Sequence, residues 1–76
     1  MKPGRQSVIS YNTAMNILVI KTLPSLAPAV CSALDGMTID GLAGTLAGDD
    51  TAFCAMVSLD TCEKLYHELE SIIGGK

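Results

Sequence analysis

The chain has 76 residues, of which 49% are hydrophobic, 17% charged and 4% aromatic, and its 8 acidic and 5 basic side chains leave a net charge of -3. A domain of this size hides only about 60% of the surface its unfolded chain exposes, so part of the apolar surplus must lie on the surface, where another subunit is expected to cover it. The basic residues Lys2, Arg5, Lys21, Lys64 and Lys76 are scattered, which leaves no phosphate-tracking patch and excludes nucleic-acid binding by this chain itself.

Residues 1–6 contain Lys2-Pro3-Gly4-Arg5, show no periodicity and read as a flexible tail or linker. Residues 7–12 alternate, with Ile9 and Tyr11 on one face and Val8, Ser10 and Asn12 on the other, the pattern of a half-solvated outer strand. A short loop leads into Ile17-Leu18-Val19-Ile20-Lys21-Thr22-Leu23, whose β-branched density predicts a strand buried on both faces and paired with the first as a hairpin. Pro24 ends it, because proline cannot donate to a ladder and biases Leu23 to extended geometry. Ser25 then reads as the cap of a helix whose apolar positions Ala27, Val30, Cys31 and Leu34 follow i, i+3, i+4, i+7. Pro28 is tolerated in the first turn, and Asp35-Gly36 closes the helix, with Gly36 placed for a left-handed cap. Asp35 is out of place there. A carboxylate at a helix C-terminus opposes the helix dipole at about 0.3–1 kcal/mol, which a cation is expected to offset, although an exposed surface aspartate fits the position too.

Residues 42–47 and 51–57 predict a second hairpin, with Gly48-Asp49-Asp50 supplying the positive-φ tolerance and side-chain capping of its turn. Two adjacent carboxylates thus sit at the tip, which by itself describes any solvated turn. The last element is a helix capped by Ser58 or Asp60, the second forming an Asp-x-x-Glu box with Glu63. Its apolar face is Cys62, Leu65, Tyr66, Leu69, Ile72 and Ile73, and Gly74-Gly75 stops it. Lys64, Glu68 and Glu70 take the water side. His67 beside them reads as a surface histidine with no nucleophile or second ligand to serve.

The order β-β-α-β-β-α predicts an α+β, two-layer domain over residues 7–73, with a four-stranded antiparallel sheet, both helices on one face, and a tail at residues 74–76. The uncovered face, rich in small aliphatic side chains, is a surface for self-association. Cys31, Cys54 and Cys62 are odd in number, lie in apolar stretches and follow no secretion signal, so they read as buried thiols of a cytoplasmic protein. Zinc is excluded because no C-x-x-C pair exists and His67 is the one histidine. Apolar runs such as Ile17-Leu18-Val19-Ile20 are far short of the roughly 20 residues of a membrane-spanning helix. Hairpin-tip carboxylates with no nucleophile, matched histidine or phosphate loop make no catalytic constellation, so no enzyme is expected.

Three segments carry a resemblance: Asn16-Ile17-Leu18-Val19-Ile20-Lys21-Thr22 followed by Pro24, Ala33-Leu34-Asp35, and above all Gly44-Thr45-Leu46-Ala47-Gly48-Asp49-Asp50-Thr51. On these residues the chain resembles the C-terminal domain of the bacterial arginine repressors from about Ser7 to Ile73. The resemblance implies a homo-oligomer, a trimer stacking into a dimer of trimers, with L-arginine as effector between trimers and no other cofactor. It further implies that DNA is reached only through an N-terminal winged helix-turn-helix absent from these residues. Asp49 and Asp50 would then face the guanidinium, whose planar fork matches carboxylate oxygens, and Asp35 would take the α-ammonium. Ala27, Pro28 and Thr51 complete the implied ligand-binding set. Family members usually follow the proline with glycine and a small residue and carry glutamine in the helix's first turn, where this chain has Ser25, Leu26 and Pro28. Pro28 removes both a holding side chain and a backbone donor, so weaker arginine binding or a shifted preference is expected. A structural assembly module with a degenerate or altered pocket is the alternative.

Overall fold

The computed structural model describes residues 7–73; the tails at residues 1–6 and 74–76 and the Gly74-Gly75 helix stop lie outside them. The elements are β1 (Val8–Ala14), β2 (Ile17–Thr22), α1 (Ala27–Asp35), β3 (Leu42–Ala47), β4 (Thr51–Met56) and α2 (Leu59–Ile72). All four strands form one antiparallel sheet in the order β1-β2-β4-β3, the α+β arrangement that the hydrophobic periodicity predicts.

Register explains the layers. Leu18, Ile20, Ala52, Cys54 and Met56 point to one face and are buried with Val30, Cys31 and Leu34 of α1 and Cys62, Leu65 and Leu69 of α2. α1 lies mainly over β3 and β4, and α2 over β1 and β2. The alternate positions form the open face. There Val19, Phe53 and Leu46 lie in one cross-strand row, with Ile17, Ala55 and Gly44 in the next and Lys21 beside Thr51 in a third. Leu46 is 72% and Phe53 46% exposed. The expectation that β2 is buried on both faces therefore needs correction: Leu18, Ile20 and Thr22 are buried, Ile17 and Val19 half-buried and Lys21 exposed. The strand reads as two-sided because its second face is also apolar, yet no described element packs over that face.

Local departures have local causes. β1 runs two residues further than its alternation suggests and carries a bulge between Val8 and Ser10, which makes Ile9 the extra residue. Ile9 accordingly turns outward and is 64% exposed, while Val8 and Tyr11 pack on the core. Tyr11 also meets Tyr66 of α2 edge-on, with ring centroids 5.4 Å apart. α2 is capped by Ser58, whose Oγ accepts the Thr61 N–H at 3.0 Å, leaving Asp60 to favour the first turn electrostatically. Gly36 takes φ -79° instead of a left-handed value, because α1 ends in right-handed turns with Gly36 N–H on Ser32 O and Met37 N–H on Leu34 O.

Candidate functional site

The β3–β4 hairpin tip is the centre of the candidate site. Gly48 N–H donates to Thr51 O at 2.8 Å, which leaves Asp49 and Asp50 as a two-residue loop. Neither of them, nor Gly48, takes a positive φ, contrary to the expected turn. The tip is held from outside instead. Thr22 N–H donates to Asp50 O at 2.8 Å and Ala27 N–H to Asp49 O at 3.2 Å, so both tip carbonyls are tied to the connection between β2 and α1.

That connection explains a second correction. Ser25 is no helix cap: it adopts φ 71°, and Leu26 takes the cap position with no side-chain hydrogen bond. The Asp49 carboxylate accepts the Ser25 N–H at 3.2 Å, with Ser25 Oγ 3.5 Å from its second oxygen. A side chain 24 residues away in sequence thus holds Ser25 in a conformation that non-glycine residues seldom adopt. At the start of α1, Ala27 spends its N–H on Asp49 and Pro28 has none, so two of the donors that a helix N-terminus offers an anion are gone.

Asp50 is exposed and accepts from Thr51 Oγ1 at 3.0 Å. Thr51 Oγ1 in turn accepts from Lys21 Nζ at 2.7 Å. Asp35 lies elsewhere. No basic residue stands in the last turn of α1, so the expected cation is missing there, and the Thr45 hydroxyl of β3 donates to the Asp35 carboxylate at 3.0 Å instead. Ala27 and Asp35 begin and end α1, about 12 Å apart at 1.5 Å per residue. Within one chain the residues therefore separate into a tip group of Asp49, Asp50 and Thr51 beside Ala27, and Asp35 at the far end of α1. Ala27 is fully buried, so it faces the site with its backbone alone, whereas Pro28 is exposed. Among the described residues no three His, Cys, Asp or Glu side chains are grouped to hold a metal ion.

Two shallow grooves lie along Leu46 and Phe53 on the open face, and the first of them reaches the tip at Gly48 and Thr51. One of about 330 Å³ is lined by Leu46, Ala47, Gly48, Thr51 and Phe53, and one of about 290 Å³ by Ile17, Gly44, Thr45, Leu46, Phe53 and Ala55. Carboxylates line neither. All three thiols are free and buried. Burial pushes the Cys54 thiol up to about 12, with Cys31, Asp35 and Cys62 adding to it. Burial also raises Cys31, against the pull of the Thr45 hydroxyl. His67 is exposed and 3.7 Å from Glu63 on the same helix, a surface pair of small energetic weight.

Sequence reasoning overlooked Thr45, Lys21 and the Ser25–Asp49 contact. Lys21 did carry a signal, as the one charge inside the apolar run of residues 17–23; the other two depend on pairings between distant segments.

The fold and the carboxylate-tipped hairpin define a small two-layer α+β domain, and the family described as arginine repressor, C-terminal domain, matches residues 5–71. The chain belongs to that family. It is 44% identical over 66 residues to the arginine repressor of Thermotoga maritima, covering 87% of this chain and 43% of that protein. The arginine repressor of Lachnoclostridium phytofermentans is 37% identical over 71 residues, covering 93% of this chain and 47% of that protein. That of Caldicellulosiruptor saccharolyticus is 35% identical over 73 residues, with 96% and 48% covered. The chain thus spans about half the length of the curated relatives it matches. No described helix is long and apolar enough to cross a membrane.

Proposed function

We propose that this chain is the ligand-sensing oligomerisation domain of an arginine-responsive transcriptional regulator in the cytoplasm. Copies associate through the open sheet face into trimers, two trimers stack into a hexamer, and L-arginine binds between trimers. Asp49 and Asp50 face its guanidinium, with Thr51 beside them, and Asp35 takes its α-ammonium. Ala27 and Pro28 border its amino-acid end. Operator DNA is read by a winged-helix domain elsewhere in the whole protein, and the domain catalyses nothing and needs no cofactor.

One observation carries this reading. The exposed Asp50 carboxylate stands at the rim of an apolar face that the described residues leave uncovered. Asp35, one helix length away, supports it further, since a small ligand touching both ends of α1 is more easily held between chains than along one. Carboxylates gathered at such an interface repel one another when the site is empty, and a bound cation removes that cost. Ligand then favours the assembled form by as much as its affinities for the two states differ.

A second reading, a structural assembly module with an altered pocket, is favoured by Leu26, Pro28 and the prior engagement of the Ala27 N–H and the Asp49 carboxylate. Titration calorimetry with L-arginine, and with citrulline as the near-isosteric neutral control, separates the two. The sensor gives heat with arginine alone, with weaker affinity than family members carrying glycine and glutamine at these positions, and Asp50→Asn abolishes the response while leaving the thermal midpoint in place. A folded oligomer silent to both ligands is the assembly module.

A further inference from the structure

Lys21 lies where the apolar face meets the acidic tip. Its backbone pairs with Ser10 of β1 on one side and Thr51 of β4 on the other, both uncharged. Among the described residues in register on the open face, it is the one charged side chain. Its ammonium donates to Thr51 Oγ1 at 2.7 Å. The single proton of that hydroxyl goes to Asp50 Oδ1 at 3.0 Å. Ammonium, hydroxyl and carboxylate therefore form a directed chain, in which each bond polarises the next and the lysine charge is felt one hydroxyl away from the carboxylate.

We infer that Lys21 is the resident counter-cation of Asp50: it holds and partly neutralises the carboxylate when no ligand is present, and it lowers the site's affinity for a cationic ligand. The inference rests on the sensor reading above and adds how that site is regulated. A ligand guanidinium meets a carboxylate already offset by Lys21, and both cations then compete for the same negative charge. Lys21 belongs to β2 and its head reaches Thr51 beside the tip, so the sheet presents the cation from a fixed strand position and not from a loop.

Calorimetry of the full chain with L-arginine tests this in the parent, Lys21→Gln, Lys21→Arg and Lys64→Gln. The last removes the same net charge from a distant pair, the 3.7 Å contact with Asp40. Lys21→Gln is expected to bind arginine about twofold to fivefold more tightly, the size of an exposed charge interaction. Lys21→Arg and Lys64→Gln stay near the parent. Equal or weaker binding by Lys21→Gln overturns the inference. If the parent binds no arginine, the sensor reading fails, and a measurement without ligand decides the role of Lys21 separately. In carbon-detected NMR the Asp50 carboxylate resonance moves in Lys21→Gln and stays in Lys64→Gln; an Asp50 resonance indifferent to Lys21 overturns the inference.

Discussion

Cys54 shows how a side chain without a catalytic partner still sets a property of the molecule. It is fully buried in the centre of β4, where ionising means placing a charge among aliphatic groups, with Cys31, Asp35 and Cys62 adding negative potential. Its thiol is pushed up to about 12 from an ordinary 9.0. The folded state therefore keeps this proton more tightly than the unfolded chain. Below the unfolded value both states hold it, and the contribution to stability is fully present. As pH rises from 9.0 towards about 12 the unfolded chain releases it first, so stability falls, and above that range the contribution is gone. Urea midpoints measured from pH 7 to 12 under reducing conditions should show a steeper alkaline loss in the parent than in Cys54→Ala, whatever cavity cost the variant carries at neutral pH. Parallel curves would mean that the buried thiol holds its proton no more tightly than a solvated one.

At the scale of elements, the connections are held by single residues that reach across the fold. Gly41 precedes β3 with φ +81°, and a Cβ built there would fall onto the side chain of Thr61 in the first turn of α2. Thr61 has no freedom to yield, because its N–H is capped by Ser58 Oγ at 3.0 Å and its hydroxyl donates to Ser58 O at 3.1 Å. Gly41 O also accepts the Val57 N–H at 2.8 Å. Gly41→Ala is expected to lose about 2–4 kcal/mol, from positive-φ strain together with overpacking. Gly36→Ala, at φ -79° with only ordinary contacts at 3.6 Å, should stay within about 1 kcal/mol of the parent. Urea unfolding of the two variants checks the contrast, and similar losses for both would contradict it. Elements were legible where their local signal is strong: β2 from its β-branched run, α1 and α2 from i, i+3, i+4, i+7 apolar spacing, and the α2 start from Ser58 or Asp60, of which Ser58 is the cap. The connections were not. Ser25 looks like a helix cap from its neighbours, but Asp49, a residue of another hairpin, takes its N–H and turns it to positive φ. The same limit applies to the candidate site. Asp49 and Asp50 announce themselves as a turn, and Asp35 as a carboxylate at the wrong end of a helix, while Thr45 and Lys21 gain their roles only through strand pairing and side-chain contacts.

For the whole molecule, the open face decides whether the domain is complete on its own. Leu46 and Phe53 expose 72% and 46% of their surface in a single chain, and beside them sits Gly44, in the next cross-strand row. Gly44 has no positive φ, and a Cβ built on it would meet nothing within 4 Å. A glycine inside a strand weakens it and often marks a bulge, and Gly44 follows the register shift between Leu42 and Gly44. The open-face interface proposed above would give it a further role, since glycine admits the close approach of another backbone. Gly44→Val separates the two scales. In the isolated protomer the β-branched side chain fits the strand and points into free space, so local stability is expected to hold or rise by a few tenths of a kcal/mol. In the assembly the same methyl groups occupy the groove of about 290 Å³ that Gly44 shares with Ile17, Leu46, Phe53 and Ala55, which should shift dissociation to at least tenfold higher protein concentration, the equivalent of about 1.4 kcal/mol. Sedimentation velocity across a dilution series reads the mass, and circular dichroism at the most dilute end reads the fold of the protomer, because for an obligate oligomer the two are otherwise linked through concentration. Loss of assembly with the fold intact makes the open sheet face the surface on which copies meet. An unchanged mass distribution would move the interface to another part of the surface and leave the exposure of Leu46 and Phe53 without an explanation in self-association.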